Sequence, residues 1–256
     1  DLEAALDTLA QNKSIKALKL TSGKEGTFIA GADLRSFEPL FKTPAAAGPM
    51  ILAGHRVFNK LQNLPFPTVA VINGACLGGG LECALSCTYR VVLDNPKTSL
   101  GLPEVSLGIF PGWGGTQRLP RLIGLQEGLN MILTGKLVPA LKAYKLGIAD
   151  AIIPWEFEKG KVDAFMSSIL TKEGKAAIEK KRNQKGFLNF LLEGNPLGRK
   201  LVFYKAREAV MEKTKGRYPA PLIALNVIQE TYGLPKTEGL KKEADLFIAN
   251  IPDGFA

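Results

Sequence analysis

Three short segments carry the residue types from which a chemical site could be built. Ile29-Ala30-Gly31-Ala32-Asp33-Leu34 ends a strand-like run in small residues that let another molecule approach the main chain. Asn73-Gly74 through Gly78-Gly79-Gly80-Leu81-Glu82 follows an apolar run and opens a helical pattern. Its glycines would present free N–H groups at a helix N-terminus, where the dipole favours negative charge. Leu102-Pro103-Glu104 is followed by Pro111-Gly112-Trp113-Gly114-Gly115-Thr116-Gln117-Arg118-Leu119. The chain holds one histidine, His55, inside a helix-like stretch. A two-histidine metal site is thereby excluded, and a Ser-His-Asp triad would have to use His55 as its only base. A lone helical histidine is far more often a packing or surface residue, so the chemistry is expected to run on carboxylates and backbone amides.

Familiar phosphate cradles do not fit these glycines. Gly78, Gly79 and Gly80 fail Gly-x-Gly-x-x-Gly because position 83 is Cys83, and Gly112 and Gly114 fail because Gln117 takes the third place. No Gly-Lys-Ser/Thr ending marks a P-loop. Taken singly, each segment reads as tight turns and close helix–strand contacts.

The elements that must position these segments follow from periodicity. Residues 1–12 read as an amphipathic helix with apolar positions 2, 5, 6 and 9. Ile15–Leu20, Thr27–Ala30, Thr68–Ile72 and Tyr89–Leu93 read as strands, and about 48–62 and Leu81–Ser86 as helices. This alternation predicts an α/β domain with a mainly parallel sheet. From about residue 157 the pattern is helical, including 198–213, 219–231 and 237–250, punctuated by Gly194-Asn195-Pro196 and Gly233-Leu234-Pro235. Those last helices carry apolar faces (Leu222, Leu225, Ile228; Leu240, Ala244, Phe247) and are predicted to pack on the rest.

Composition bounds the class. With 256 residues, 46% apolar and 22% charged, the chain is globular rather than disordered or fibrous. The uncharged run Leu61–Leu81 is long enough to span a bilayer, but Pro65, Pro67, Asn73 and the triple glycine would leave backbone groups unsatisfied in lipid. No signal peptide is visible at Asp1-Leu2-Glu3. Cys76, Cys83 and Cys87 are an odd set without Cys-x-x-Cys, which predicts reduced thiols. The net charge of +9 is concentrated in residues 172–217, where thirteen basic residues face five acidic ones. Such a zone is either a solvated helix surface or an anion-binding face; the interleaved aromatics of single-strand binders are missing.

Together the segments carry a resemblance. Ala30-Gly31-Ala32-Asp33-Leu34, Asn73-Gly74 through Gly78-Gly79-Gly80-Leu81-Glu82, Gly101-Leu102-Pro103-Glu104-Val105 and Pro111-Gly112-Trp113-Gly114-Gly115-Thr116-Gln117-Arg118-Leu119-Pro120 resemble, in order and spacing, the crotonase family, and within it the enoyl-CoA hydratases. The match covers residues 15–155. Leu191-Leu192-Glu193-Gly194-Asn195-Pro196-Leu197-Gly198-Arg199 and the helices after it are similar to the hydratase halves of multifunctional fatty-acid oxidation α subunits.

The resemblance implies an α/β crotonase-like spiral fold, with a hydratase core over 1–190 and a C-terminal helical region over 191–256 that packs on the core and leads toward a 3-hydroxyacyl-CoA dehydrogenase. It implies that the N–H groups of Ala32 and Gly79 form an oxyanion hole for a thioester oxygen. Glu82, in the first helical turn, and Glu104, on a separate loop 22 residues later, would hold one water and act as an acid/base pair, with the roles unassigned. Ala30, Asp33, Leu34, Arg35, Pro111, Gly112 and Trp113 would contact the acyl-CoA, with Asp33 also ordering its turn and Trp113 reshaping the acyl pocket. Arg35 and the basic 172–217 zone would meet the CoA phosphates. No metal or redox cofactor is implied, since CoA enters as part of the substrate. A fused dehydrogenase, a thiolase and further copies of the chain are the implied partners, in a bacterial cytoplasm or a mitochondrial matrix. Family members begin with strand–turn–strand segments before the first helix, and this sequence starts at the helix; those residues are expected outside the given chain. Two other readings remain: double-bond isomerisation with the same oxyanion hole, and a non-catalytic RNA-binding or scaffold protein, suggested only by the basic pI.

Overall fold

Short apolar runs bounded by Gly, Asn and Pro make short strands, and the chain uses them in pairs. In the computed structural model, which describes residues 2–33, 47–183 and 193–250, α1 (Leu2–Gln11) leads to β1 (Leu18–Leu20) and β2 (Thr27–Ile29). Next, α2 (Ala47–Gln62) precedes β3 (Thr68–Ile72) and β4 (Ala75–Leu77), and α3 (Gly79–Ser86) precedes β5 (Tyr89–Asp94) and β6 (Ser99–Gly101). A 3-10 turn (Pro103–Leu107), α4 (Gly115–Ile123) and α5 (Leu125–Thr134) follow, then β7 (Val138–Pro139), α6 (Ala140–Leu146) and β8 (Ala151–Pro154). The rest is helical: α7 (Glu158–Ser168), α8 (Lys172–Asn183), α9 (Pro196–Thr214), α10 (Ala220–Thr231) and α11 (Lys236–Ala249).

The strands form two four-stranded sheets rather than the one expected. The first, ordered β1-β3-β5-β8, is parallel throughout; the second, β2-β4-β6-β7, is parallel except at its β6–β7 edge. Each turn of the chain therefore lays one strand in each sheet, which gives a spiral. The corner between β3 and β4 shows what enforces the split. Gly74 there has φ +110°, and a Cβ would lie 2.0 Å from the carbonyl carbon of Gly26, so the backbone turns only with glycine. The strands of the second sheet are two or three residues long, too short to show an alternating pattern in sequence.

β3 is buried on both faces, as expected of a central parallel strand. Its period of two divides the core. Ala70 and Ile72 join the main cluster with Val92, whereas Val69 and Val71 pack with Val91, Leu93, Val162, Ile169 and Ile178 beneath α7 and α8. Each buried Val, Leu or Ile among them contributes about 1.5–3 kcal/mol. The uncharged run Leu61–Leu81 is thus the end of α2, β3, β4 and the start of α3. Among the described residues, no helix is long and apolar enough to cross a membrane.

The C-terminal helices share the main core. Phe203, Val210, Leu225, Ile228, Ala244 and Phe247 belong to the same buried cluster as Leu81 and Leu119, and α11 packs against both α2 and α4. Leu222 is only partly buried at its edge. A chain shortened to end at Asn195 is therefore expected to melt at a lower temperature and to aggregate, read by calorimetry and light scattering. Unchanged melting and activity would show that α9–α11 are dispensable.

Candidate active site

Glycine and alanine line one side of a cavity, and apolar bulk lines the other. The cavity, about 350 Å³, is bounded by Ala30, Gly31 and Ala32 past the end of β2, by Gly78 and Gly79 at the start of α3, and by Phe110, Gly112 and Trp113. Ile51 of α2 and Phe247 of α11 close it. Two carboxyl groups enter this apolar space, Glu82 and Glu104. The helix carrying Glu82 begins at Gly79, two residues earlier than the sequence pattern placed it. Gly79 N–H therefore lies in the first turn, where a helix offers no acceptor of its own. A Cβ at Gly79 would lie 4.0 Å from Ala32 N, which places the two segments side by side at the cavity.

The two carboxyls have different surroundings. Glu82 is buried, and its Oε1 accepts hydrogen bonds from Trp113 N–H and Gly115 N–H, both at 2.8 Å. Burial pushes its pKa up to about 7, while those two N–H groups pull it down. Glu104, on the 3-10 turn, is half-buried overall, but its Oε2 is buried and has no hydrogen-bond partner among the described residues. Burial first, then the negative charge of Glu82, holds its pKa well above the ordinary carboxylate value. Glu82, which accepts two N–H hydrogen bonds, is the carboxyl of the pair that more readily ionises, and Glu104 the one that more readily holds a proton.

A third carboxyl, absent from the sequence reading, braces this arrangement. Glu243 of α11 is fully buried; its Oε1 accepts from Gly114 N–H at 2.6 Å, and Thr116 Oγ1 donates to its Oε2. Successive amides of one loop thus alternate: 113 and 115 point at Glu82, and 114 points at Glu243. Arg118 fixes the same loop from behind, donating to Trp113 O at 2.8 Å and to Asn59 Oδ1 at 3.0 Å. Burial pushes the Glu243 pKa up to about 8, with Glu82 adding to it. The Glu104 turn has its own brace, because Tyr218, between α9 and α10, donates its hydroxyl to Val105 O and accepts from Gly108 N–H at 3.1 Å.

His55 sits near Glu243, its Nε2 3.4 Å from Oε1 without hydrogen-bond geometry. Burial and the Arg118 charge lower its pKa to about 4, so it is a neutral packing residue. Trp113 fits because α2 has Gly54 beneath it: a Cβ there would lie 2.2 Å from the indole Nε1. The ring also packs edge-on to Phe58 at 5.9 Å.

Other sequence candidates fall differently. Ala30 and Gly112 line the cavity, as does Trp113; Pro111 is buried behind that wall, beside Gly115, and Asp33 is exposed outside it. Leu34 and Arg35 lie outside the described residues, as do Leu191 and Leu192. No Lys or Arg of the described part of 172–217 lines the cavity. Arg182 instead makes two 2.8 Å hydrogen bonds to Asp150, and Lys181 lies 3.3 Å from the centre of the Tyr144 ring. Cys76, Cys83 and Cys87 are free and buried, and burial raises all three thiol pKa values, that of Cys87 to about 11. Among the described residues, no group of three or more His, Cys, Asp or Glu side chains is placed to hold a metal ion.

A family model described as enoyl-CoA hydratase/isomerase matches residues 1–187. The fatty acid oxidation complex subunit alpha of Shewanella halifaxensis is 44% identical over 244 residues, covering 94% of this chain and 33% of that protein. The protein of the same name from Vibrio parahaemolyticus is 46% identical over 245 residues, covering 93% and 33%. The chain thus spans about a third of the length of these curated relatives. Among solved structures, an enoyl-CoA hydratase from Geobacillus kaustophilus superposes with a TM-score of 0.63 at 28% identity, covering 83% of each chain. A carnitinyl-CoA dehydratase from Mycobacterium thermoresistibile reaches 0.69 over 97% of this chain and 76% of its own; at 22% identity it shows the shared fold alone.

Proposed function

Because this chain belongs to the enoyl-CoA hydratase/isomerase family, we propose that its cavity adds water to a 2-trans-enoyl-CoA to give the 3-hydroxyacyl-CoA of fatty-acid β-oxidation. The observation that carries this reading is the unlike pair of carboxyls in one apolar cavity, Glu82 anchored by two N–H groups and Glu104 with a buried, unshared oxygen. The thioester oxygen would sit between Ala32 N–H and Gly79 N–H, where fixed donors and the α3 dipole stabilise the enolate-like charge by a few kcal/mol per donor. A water between the carboxyls loses a proton to the Glu82 carboxylate as its oxygen bonds to the β-carbon. The π electrons move to the α-carbon, which takes the proton of Glu104. A proton passing from Glu82 to Glu104 through solvent restores the starting state. The step is redox-neutral and requires no metal, and CoA is part of the substrate.

Glu243 belongs to this reading as a positioning residue, since the loop it holds aims the amides that orient Glu82. The relatives' greater length and their name, a subunit of a fatty acid oxidation complex, support a longer protein of fatty-acid oxidation; a dehydrogenase that oxidises the 3-hydroxy product and a thiolase that acts afterwards belong to this proposal through the sequence resemblance. The relatives' bacterial sources favour the cytoplasm as the protein's setting.

The pH profile tests the assignment. Activity needs Glu82 ionised and Glu104 protonated, so kcat/KM for crotonyl-CoA should rise with pH through about 7, the Glu82 value, and fall again at higher pH as Glu104 ionises. In Glu82→Gln the rising limb should disappear from what activity remains. A profile flat across the range, or a rising limb that survives in Glu82→Gln, would contradict the assignment.

A further inference from the structure

A second cleft, also about 350 Å³, opens at the far end of α3. Gly79 and Glu82 start that helix at the cavity, and Ser86 ends it at this cleft, seven residues or about 10 Å further along the axis. Its walls carry Arg90, Arg118, Arg121, Arg182 and Lys236, and no acidic side chain of the described residues lines it. Asp150 lies at its back, paired with Arg182 at 2.8 Å and with Arg90 at 3.5 Å. Arg118 also faces Glu82 and Glu243 across its other edge. One carboxylate is thus shared by two of the arginines, and the positive side chains outnumber it within the cleft. Like charges so close repel, so gathering them there costs stability unless something negative binds.

Two groups face the cleft without an anionic partner. Arg121 spends its Nη2 on Thr231 O and Leu234 O, but its Nε is buried with no acceptor among the described residues. Lys236 has no ion pair among those residues, and it occupies the first position of α11, where the helix dipole disfavours a cation and favours an anion. Its pKa falls to about 8, through burial first and then through Arg118, Arg121 and Arg90. An anion seated in the cleft would offset the crowding of positive charge around Lys236 and Arg121.

We propose that this cleft binds the phosphate group of a small phosphorylated molecule, at a site separate from the acyl-CoA cavity. Arg90, Arg118 and Arg182 spend their N–H groups on protein acceptors and so contribute mainly charge. The Lys236 ammonium at a helix N-terminus supplies donors that suit a tetrahedral dianion, which offers more oxygens and more charge than one carboxylate. Because Arg118 lines the cleft and also holds Trp113 O, the site touches the loop that positions Glu82, and an occupant there would bear on that loop.

Isothermal titration of the full chain with sodium phosphate, against sodium chloride of equal ionic strength and against sodium acetate, tests the proposal. Saturable one-site binding of phosphate is expected, with acetate much weaker. Lys236→Gln should weaken binding by about tenfold or more, as for loss of a charge-assisted hydrogen bond, and Lys236→Arg should keep it. Without phosphate, Lys236→Gln should melt no lower than the parent, since it relieves charge crowding, and its kcat for crotonyl-CoA should be unchanged. Heats that never saturate, equal affinity in Lys236→Gln, or acetate binding as tightly as phosphate would each overturn it. Since the readout is binding, none of these results bears on the hydratase reading.

Discussion

Replacing Glu104 with Gln is expected to lower kcat for crotonyl-CoA hydration by about 10²-fold or more, the usual scale of a lost acid–base step. Glu82→Gln should do the same. Both substitutions keep side-chain size and hydrogen-bonding capacity, and both remove a buried titratable group, so the folded state should not suffer. KM should change much less than kcat, because in this reading the substrate is held by Ala32, Gly79 and apolar walls such as Trp113 and Phe247. The double variant should fall well short of the product of the single effects, since the two groups act on one water. Assaying Δ3–Δ2 isomerisation beside hydration separates the residues further. Isomerisation moves a proton between carbons and positions no water, so a residue whose loss abolishes only hydration is not the isomerising base. Two single variants that both hydrate at the parent rate while folded would leave the cavity without its chemistry.

Glu243→Leu is expected to produce the second largest effect, although the residue lies 161 positions after Glu82 in the chain. It removes the acceptor of Gly114 N–H and of the Thr116 hydroxyl, both buried, and the loop from 113 to 115 must then shift. Misplacing a catalytic group by about 1 Å can cost about 10²-fold, so kcat should drop by at least tenfold. Glu243→Gln keeps an oxygen for Gly114 N–H and should recover most of the rate. The distinguishing readout is the pH profile. Burial and the Glu82 charge raise the Glu243 pKa to about 8, and whatever charge Glu243 carries repels that of Glu82. Its neutralisation to Gln should therefore move the rising limb toward lower pH. A Gln variant with parent-like rate and an unmoved limb, beside a slow Leu variant, would restrict Glu243 to structural support.

Glu82 and Glu104 were legible in the sequence because each sits inside a contiguous motif, next to the glycines and prolines that shape its own backbone. The places of Ala32 and Gly79 at the cavity were legible for the same reason. Glu243 was not, because its partners Gly114 and Thr116 lie more than a hundred residues earlier and it stands among the charged residues Lys241, Lys242 and Asp245 of the helix Lys236–Ala249. One signal was present: Leu240, Ala244 and Phe247 mark the apolar stripe of that helix, and position 243 lies on the stripe with a carboxylate. A charge on a buried stripe points to a polar partner across the core. The second sheet escaped for a different reason, since β4, β6 and β7 are too short to carry a period of two. In the basic zone, charge density records nothing of pairing: Arg182 looks available in sequence and is engaged by Asp150 in the fold.

Hydration of crotonyl-CoA in heavy water by the 256-residue chain is the most direct measurement, with the product analysed by mass and by the position of its label. If Glu82 takes the proton of a water whose oxygen bonds to the β-carbon, and Glu104 supplies the α-carbon, the product is 3-hydroxybutyryl-CoA with a single carbon-bound deuterium, at the α position and on one face. Glu82→Gln and Glu104→Gln should each slow formation of that product by about 10²-fold. A folded chain that releases no 3-hydroxybutyryl-CoA, or one that labels both α faces equally and is unaffected by either substitution, would contradict a paired-carboxyl hydratase.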